Sequence, residues 1–316
     1  MNEFNRFQIK NIIENNNPFN TSKKIIIIFI LIILFLYNWS ENPEFDTNFD
    51  YINYENNIIT EKMKQNSNWE LSSVQAAFIN GLIRKYKPKN CLEIGVAKGG
   101  SSILILNAIK DFPDSILISI DLNENYYKNK TKRTGYLVKE EFNELTDKWK
   151  LFLGDMPHKF LSKLNMKFDF LFLDSAHVSP GEFFNLIEAL PFLNENAIVV
   201  LHDVIWHFFF ARISNYIINN IKIMATQIVL MSSLIGKKIF LKKSIHNYDN
   251  IGAIYLEKNQ KKYYVNYFLL LMNIWQYIPS EEHLKSLRDF IDKFYENKQL
   301  LDIYDYSVKQ NINLFK

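Results

Sequence analysis

Between residues 90 and 256, short apolar runs alternate with stretches of helix length. The runs fall at 91–94, 115–120, 150–153, 168–173 and 197–201. The longer stretches fall at 101–111, 136–147, 157–164, 180–190 and 206–220. Strands separated by helices return each time to the same end of the sheet, so they pair in parallel, and helices then cover both faces. The pattern therefore predicts a doubly wound α/β sheet. Two more strands complete it: Ile251–Leu256 and a hairpin partner near Ile239–Leu241. Upstream, Ser72 with Gln75 has the spacing of a capping box. Leu71, Val74, Phe78, Leu82 and Tyr86 follow at helical spacing, and Pro88 closes that element.

The flanks differ in character. Ile25–Tyr37 is an apolar run without charge, about 20 Å long as a helix. That is short against a hydrocarbon core of about 30 Å. Lys23 and Lys24 at one end and Trp39 at the other suit the two interfaces. The expected division is a tail with a membrane-associated segment or transmembrane helix (1–40), a polar linker (41–66), the α/β domain (67–258) and a helical extension (259–316). In the extension, Ser280 before Glu281 and Glu282 reads as a helix start. A net charge of only +3 argues against a dedicated nucleic-acid binder. The single cysteine, Cys91, excludes a disulfide within the chain and fits a small apolar position in a strand.

Chemistry is carried by LEIGVAKGGSS, residues 92–102, at a strand-to-helix junction. Glycine there permits a tight turn and lets a ligand approach the backbone. Open α/β sheets bind ligands at the carboxyl ends of their strands. Asp121 ends the next strand, where a carboxylate can accept the hydroxyls of a ribose. The glycines are spaced G-x-x-x-G-G, unlike the G-x-G-x-x-G of dinucleotide folds, and Lys98 precedes them, unlike the lysine of a phosphate loop.

With these residues the chain resembles class I S-adenosylmethionine-dependent methyltransferases, over roughly residues 70–256. LEIGVAKGGSS resembles the family's first motif, Ser119-Ile120-Asp121 its ribose-binding acid, and Gly154-Asp155 its adenine-side acid. Residues 168–204, with Asp174, His177, His202 and Asp203, resemble the branch of small-molecule and sugar O-methyltransferases, many of them metal-dependent. The resemblance implies a Rossmann-like seven-stranded sheet. It implies cofactor contacts from Glu93, Gly95, Gly99, Ser101, Asp121, Asp155 and Asp174. It also implies a metal such as Mg²⁺ on Asp174 and Asp203, with His177 and His202 as the catalytic pair.

Two departures from the family stand out. Asn194-Glu195-Asn196 replaces the usual glycine turn before the fifth strand, and His202 stands where some members have a carboxylate. Imidazole is a poor ligand for Mg²⁺.

The implied acceptor is a sugar or similar polar metabolite, and a lipid-linked sugar suits an enzyme at a membrane. The cofactor is cytosolic, so the catalytic domain is expected in the cytoplasm. Related enzymes are often homodimers. The alternative is a membrane-anchored scaffold with a degenerate, non-catalytic methyltransferase fold.

Overall fold

A computed structural model describes residues 45–46, 71–204, 229, 236–240 and 250–314. The hydrophobic segment 25–37, most of the expected linker, the helix expected over 206–220 and His207 lie outside the described residues. No helix among the described residues is long and apolar enough to cross a membrane.

The strands are β1 (Phe45–Asp46), β2 (Asn90–Ile94), β3 (Ile116–Asp121), β4 (Trp149–Leu153), β5 (Phe168–Leu173), β6 (Leu193–His202), β7 (Lys237–Phe240) and β8 (Ile251–Tyr255). They form one sheet in the order β1-β7-β8-β6-β5-β2-β3-β4. Pairing is parallel from β6 through β4, and β8 runs antiparallel to both β6 and β7. The seven expected strands are all present, and β1 adds a two-residue parallel edge against β7. The order reverses between β5 and β2, which makes the carboxyl ends of those two strands the switch point where a ligand crevice opens.

The helices are α1 (Ser73–Tyr86), α2 (Gly100–Ile109), α3 (Tyr136–Glu141), α4 (Pro157–Leu164), α5 (Gly181–Ala189), α6 (Tyr264–Leu269), α7 (Glu281–Tyr295) and α8 (Lys298–Leu314). The Ser72 capping box forms reciprocally: Ser72 Oγ accepts from Gln75 N, and Gln75 Oε1 accepts from Ser72 N. The helix expected over 136–147 is shorter. Phe142 leaves helical geometry (φ −134°, ψ 41°), and Asn143–Lys148 continues as a 3₁₀ turn. The Asn194–Asn196 turn is absorbed into β6 as an irregularity in its register with β5, where Asn196 adopts φ 65°.

Strand alternation sorts the core into two layers. Leu92, Ile94, Leu171, Leu173, Val199 and Leu201 face α5 and the C-terminal helices. Cys91, Leu117, Phe170, Phe172, Ile198 and Val200 face α1 and α2. Each fully buried phenylalanine contributes about 1.5–3 kcal/mol. Burial, with the charge of Asp169 adding, pushes the Cys91 thiol far up, so it stays protonated packing.

The C-terminal extension shares the first layer. Tyr295 donates to Ile187 O in α5 (2.6 Å), Tyr304 to Leu284 O (2.8 Å), and Phe184 meets Trp275 edge to face. Ser280 caps α7 by accepting from His283 N.

Candidate active site

The glycine loop leaves β2 and enters α2, with Gly95 at φ 93° and Gly99 at φ 102°. Gly95 lies against backbone: a Cβ there would sit 2.0 Å from Asp174 O. The loop is thus in direct contact with the end of β5. Its amides are gathered by Asp121, whose Oδ2 accepts from Val96 N (2.8 Å) and Ala97 N (3.1 Å), while Oδ1 accepts from Asn123 N (2.8 Å). Oδ2 thus takes two amides, and Oδ1 also takes the Asn123 side-chain amide, at a longer 3.4 Å. The entry to α3, at the start of the stretch expected as a helix over 136–147, packs against the loop. Gly135 N donates to Ala97 O (2.9 Å) and Leu137 N to Lys98 O (3.0 Å).

Glu93 and Ser101, both expected at the cofactor, hydrogen-bond to each other. Glu93 is fully buried beneath the loop. It accepts from Ser101 Oγ (2.6 Å), Ser102 Oγ (2.6 Å) and Ser119 Oγ (2.5 Å). It pins α2 and β3 to β2 and so shapes the loop from below. Burial raises its carboxyl from 4.5 to about 7, against the three hydroxyls that favour the anion. A raised carboxyl pKa favours the folded state when the group is neutral. That stabilisation is complete below 4.5, is lost as pH rises through 7, and amounts to about 3 kcal/mol. Glu93→Gln should therefore melt higher than the wild type at pH 8 and close to it at pH 5. Thermal unfolding at the two pH values checks this, and a variant less stable at both would refute it.

Asp155 accepts from Met156 N (2.8 Å) and pairs with Lys159 (3.2 Å) at the start of α4, a helix-entry role. Of the tyrosines after β3, Tyr126 is buried and Tyr127 is exposed. His158 is buried, held between Glu188 Oε1 (2.8 Å) and Ser286 Oγ (2.7 Å), well inside the packing of α4, α5 and α7.

The remaining predicted residues come together. β5 and β6 are neighbours in register through Leu173 and Leu201, so Asp174 and Asp203 leave adjacent strand ends. One ligand atom each from Asp174, His177 and Asp203 lie within 4.8 Å of one another. His177 Nε2 is 3.3 Å from Asp203 Oδ2 and 3.6 Å from Asp174 Oδ1. His202 stands behind, its Nδ1 3.0 Å from Asp174 Oδ1. Burial pushes the Asp174 carboxyl up, but the adjacent His202 and His177 outweigh it and hold it below its ordinary value. For His202, burial pulls the imidazole down, and Asp174 with Asp203 carries it above its ordinary value. Asp203 and His177 both adopt left-handed backbone (φ 58° and 56°).

Two supporting residues escaped sequence reading. Asn250 donates its side-chain amide to Asp203 Oδ1 and accepts from Asp203 N (2.9 Å). Glu182, in the PGEFF stretch, binds the turn that carries His177.

Against known families, residues 92–204 match one described as a methyltransferase domain. That match runs in chain order from β2 through the end of β6, and the sheet order is that of a methyltransferase-type α/β fold. No curated protein matches the chain. Several solved structures overlay on it. The O-methyltransferase TomG from Streptomyces achromogenes, in complex with S-adenosylmethionine, is 17% identical, over 71% of this chain and 96% of that one, with TM-score 0.45. An O-methyltransferase from Bacillus cereus with S-adenosylhomocysteine is 17% identical, over 64% and 90%, with TM-score 0.43. The Podospora anserina methyltransferase PaMTH1, also with S-adenosylhomocysteine, is 15% identical, over 82% and 97%, with TM-score 0.43. Each is a likeness only.

Proposed function

We propose that this domain methylates a hydroxyl oxygen of a polar small molecule, a sugar or similar metabolite, with a divalent cation at Asp174, His177 and Asp203. The observation that carries this reading is the convergence of those three ligand atoms beside the glycine loop. Two carboxylates and one imidazole suit Mn²⁺ at least as well as Mg²⁺, since imidazole favours the later metals.

S-adenosylmethionine supplies the methyl group as a sulfonium. A cation held by the triad would supply Lewis acidity that lowers the pKa of the acceptor hydroxyl, whose proton would leave to a base or solvent as the methyl is transferred. The rest falls to the chain. The glycine loop and Asp121 hold the cofactor's methionine and ribose portions. His202, through its Nδ1 hydrogen bond, fixes the orientation of Asp174, as outer-shell partners of ligating carboxylates do. Asn250 does the same for Asp203. The Gly95–Asp174 backbone contact holds the glycine loop and the triad side by side, which supports an acceptor placed next to the methyl group.

Calorimetric titration with S-adenosylhomocysteine tests the cofactor half. Binding should be micromolar. Asp121→Ala should weaken it about 10–100-fold, the worth of one or two charge-assisted hydrogen bonds. A folded wild-type protein that binds neither S-adenosylhomocysteine nor Mn²⁺ would overturn the reading and favour a non-catalytic scaffold.

A further inference from the structure

Between β5 and α5 the chain turns sharply through Ser175, Ala176 and His177, and His177 is left-handed there. For a residue with a side chain this backbone is unfavourable, so the surroundings must impose it. The group on which the turn closes is Glu182, in the first turn of α5. Its Oε2 accepts from Ser175 Oγ (2.7 Å), Ala176 N (3.1 Å) and His177 N (3.0 Å). Asn185, one turn later, donates to Ser175 Oγ (2.5 Å) and braces the same point.

Glu182 is fully buried, and among the described residues its Oε1 has no hydrogen-bond partner. A neutral amide would accept the same donors with a smaller desolvation cost. Burial raises the Glu182 carboxyl above its ordinary value, while the three donors converging on Oε2 favour the anion, whose charge-assisted bonds fix a turn tightly. Fixing matters because His177 has to meet two carboxylates from other strand ends. We infer that Glu182 is a positioning residue for the cation site: it holds the Ser175–His177 turn so that His177 reaches Asp174 and Asp203. The inference rests on the proposed cation reading of those three residues.

The test uses the full chain and its Glu182→Gln variant, with Mn²⁺ as the probe. Free Mn²⁺ is followed by electron paramagnetic resonance, S-adenosylhomocysteine by calorimetry, and the Ala176 and His177 amides by hydrogen exchange, all well below the melting temperature. Loss of an outer-shell partner of a ligand costs about 10–100-fold in metal affinity. Mn²⁺ should accordingly bind at least about tenfold more weakly, and both amides should exchange faster. S-adenosylhomocysteine affinity should stay within about twofold. Unchanged Mn²⁺ affinity overturns the inference, whatever happens to melting temperature or amide exchange, because Glu182 would then be packing only. If the wild type binds no Mn²⁺, the cation reading itself fails. The amides then decide: faster exchange confined to Ala176 and His177 keeps Glu182 as the holder of the turn, and unchanged exchange removes it. Should Glu182→Gln not fold, Asn185→Ala loosens Ser175 from the same side and is read in the same ways.

Discussion

Asp174→Asn should lower turnover by on the order of 10²–10³-fold, the usual loss when one preorganised charge is taken from a reacting centre. Asparagine has nearly the same shape, and its Oδ1 can still accept the His202 Nδ1 hydrogen bond, so the turn should survive. What disappears is the negative charge. That charge faces both histidines, at 3.0 Å from His202 Nδ1 and 3.6 Å from His177 Nε2. It also lies among the three groups that converge at the end of β5 and β6. Mn²⁺ affinity should fall with turnover, and S-adenosylhomocysteine affinity should stay within about threefold. The opposite split, with cofactor affinity lost and Mn²⁺ affinity kept, would move Asp174 from the cation to the cofactor.

Much of this site was legible because it follows from strand ends. Parallel neighbours place Asp174 and Asp203 side by side once β5 and β6 are recognised, and an apolar run of five or six residues identifies each strand. The glycine loop was legible for the same reason. The fate of Glu93 could have been read from parity. Cys91 and Glu93 share one face of β2, and that face meets α2, where Ser101 and Ser102 stand. The resemblance implies a ligand contact for each residue of the motif and does not carry this packing information.

Other features left no readable trace. Asn250 meets Asp203 only because β8 returns antiparallel to β6, a contact 47 residues distant in sequence. Glu182 stands in the first turn of α5, where the helix dipole alone accommodates an acid. Its real partners are the amides of a turn whose left-handed geometry sequence does not announce. The break at Phe142 was hidden for a related reason. Residues 136–147 carry an acceptable helical pattern, yet the chain changes to 3₁₀ geometry where Trp149 has to enter β4.

Gly95→Ala should destabilise the fold by about 3 kcal/mol, combining left-handed backbone with an overpacked contact. That is a fall in melting temperature of about 5–10 °C. The reason is what the new methyl would meet. The three nearest atoms are Asp174 O at 2.0 Å, Asp174 C at 2.6 Å and Ser175 Cα at 3.0 Å, all backbone, so no side chain can swing aside. Relief requires β2 and β5 to part at the point where the loop meets Asp174, which displaces the triad along with the cofactor loop. Both S-adenosylhomocysteine and Mn²⁺ binding should therefore weaken in whatever protein folds. Gly99→Ala is the informative comparison. Its φ of 102° is as unfavourable, but its closest contact is the movable Val138 Cγ2 at 2.9 Å, with Gly135 Cα at 3.3 Å. Thermal unfolding of the two variants side by side should rank Gly95→Ala as the more damaging. An equal or reversed order would mean that positive φ alone sets the cost, and that the backbone contact between the glycine loop and Asp174 does not tie the two halves of the site together.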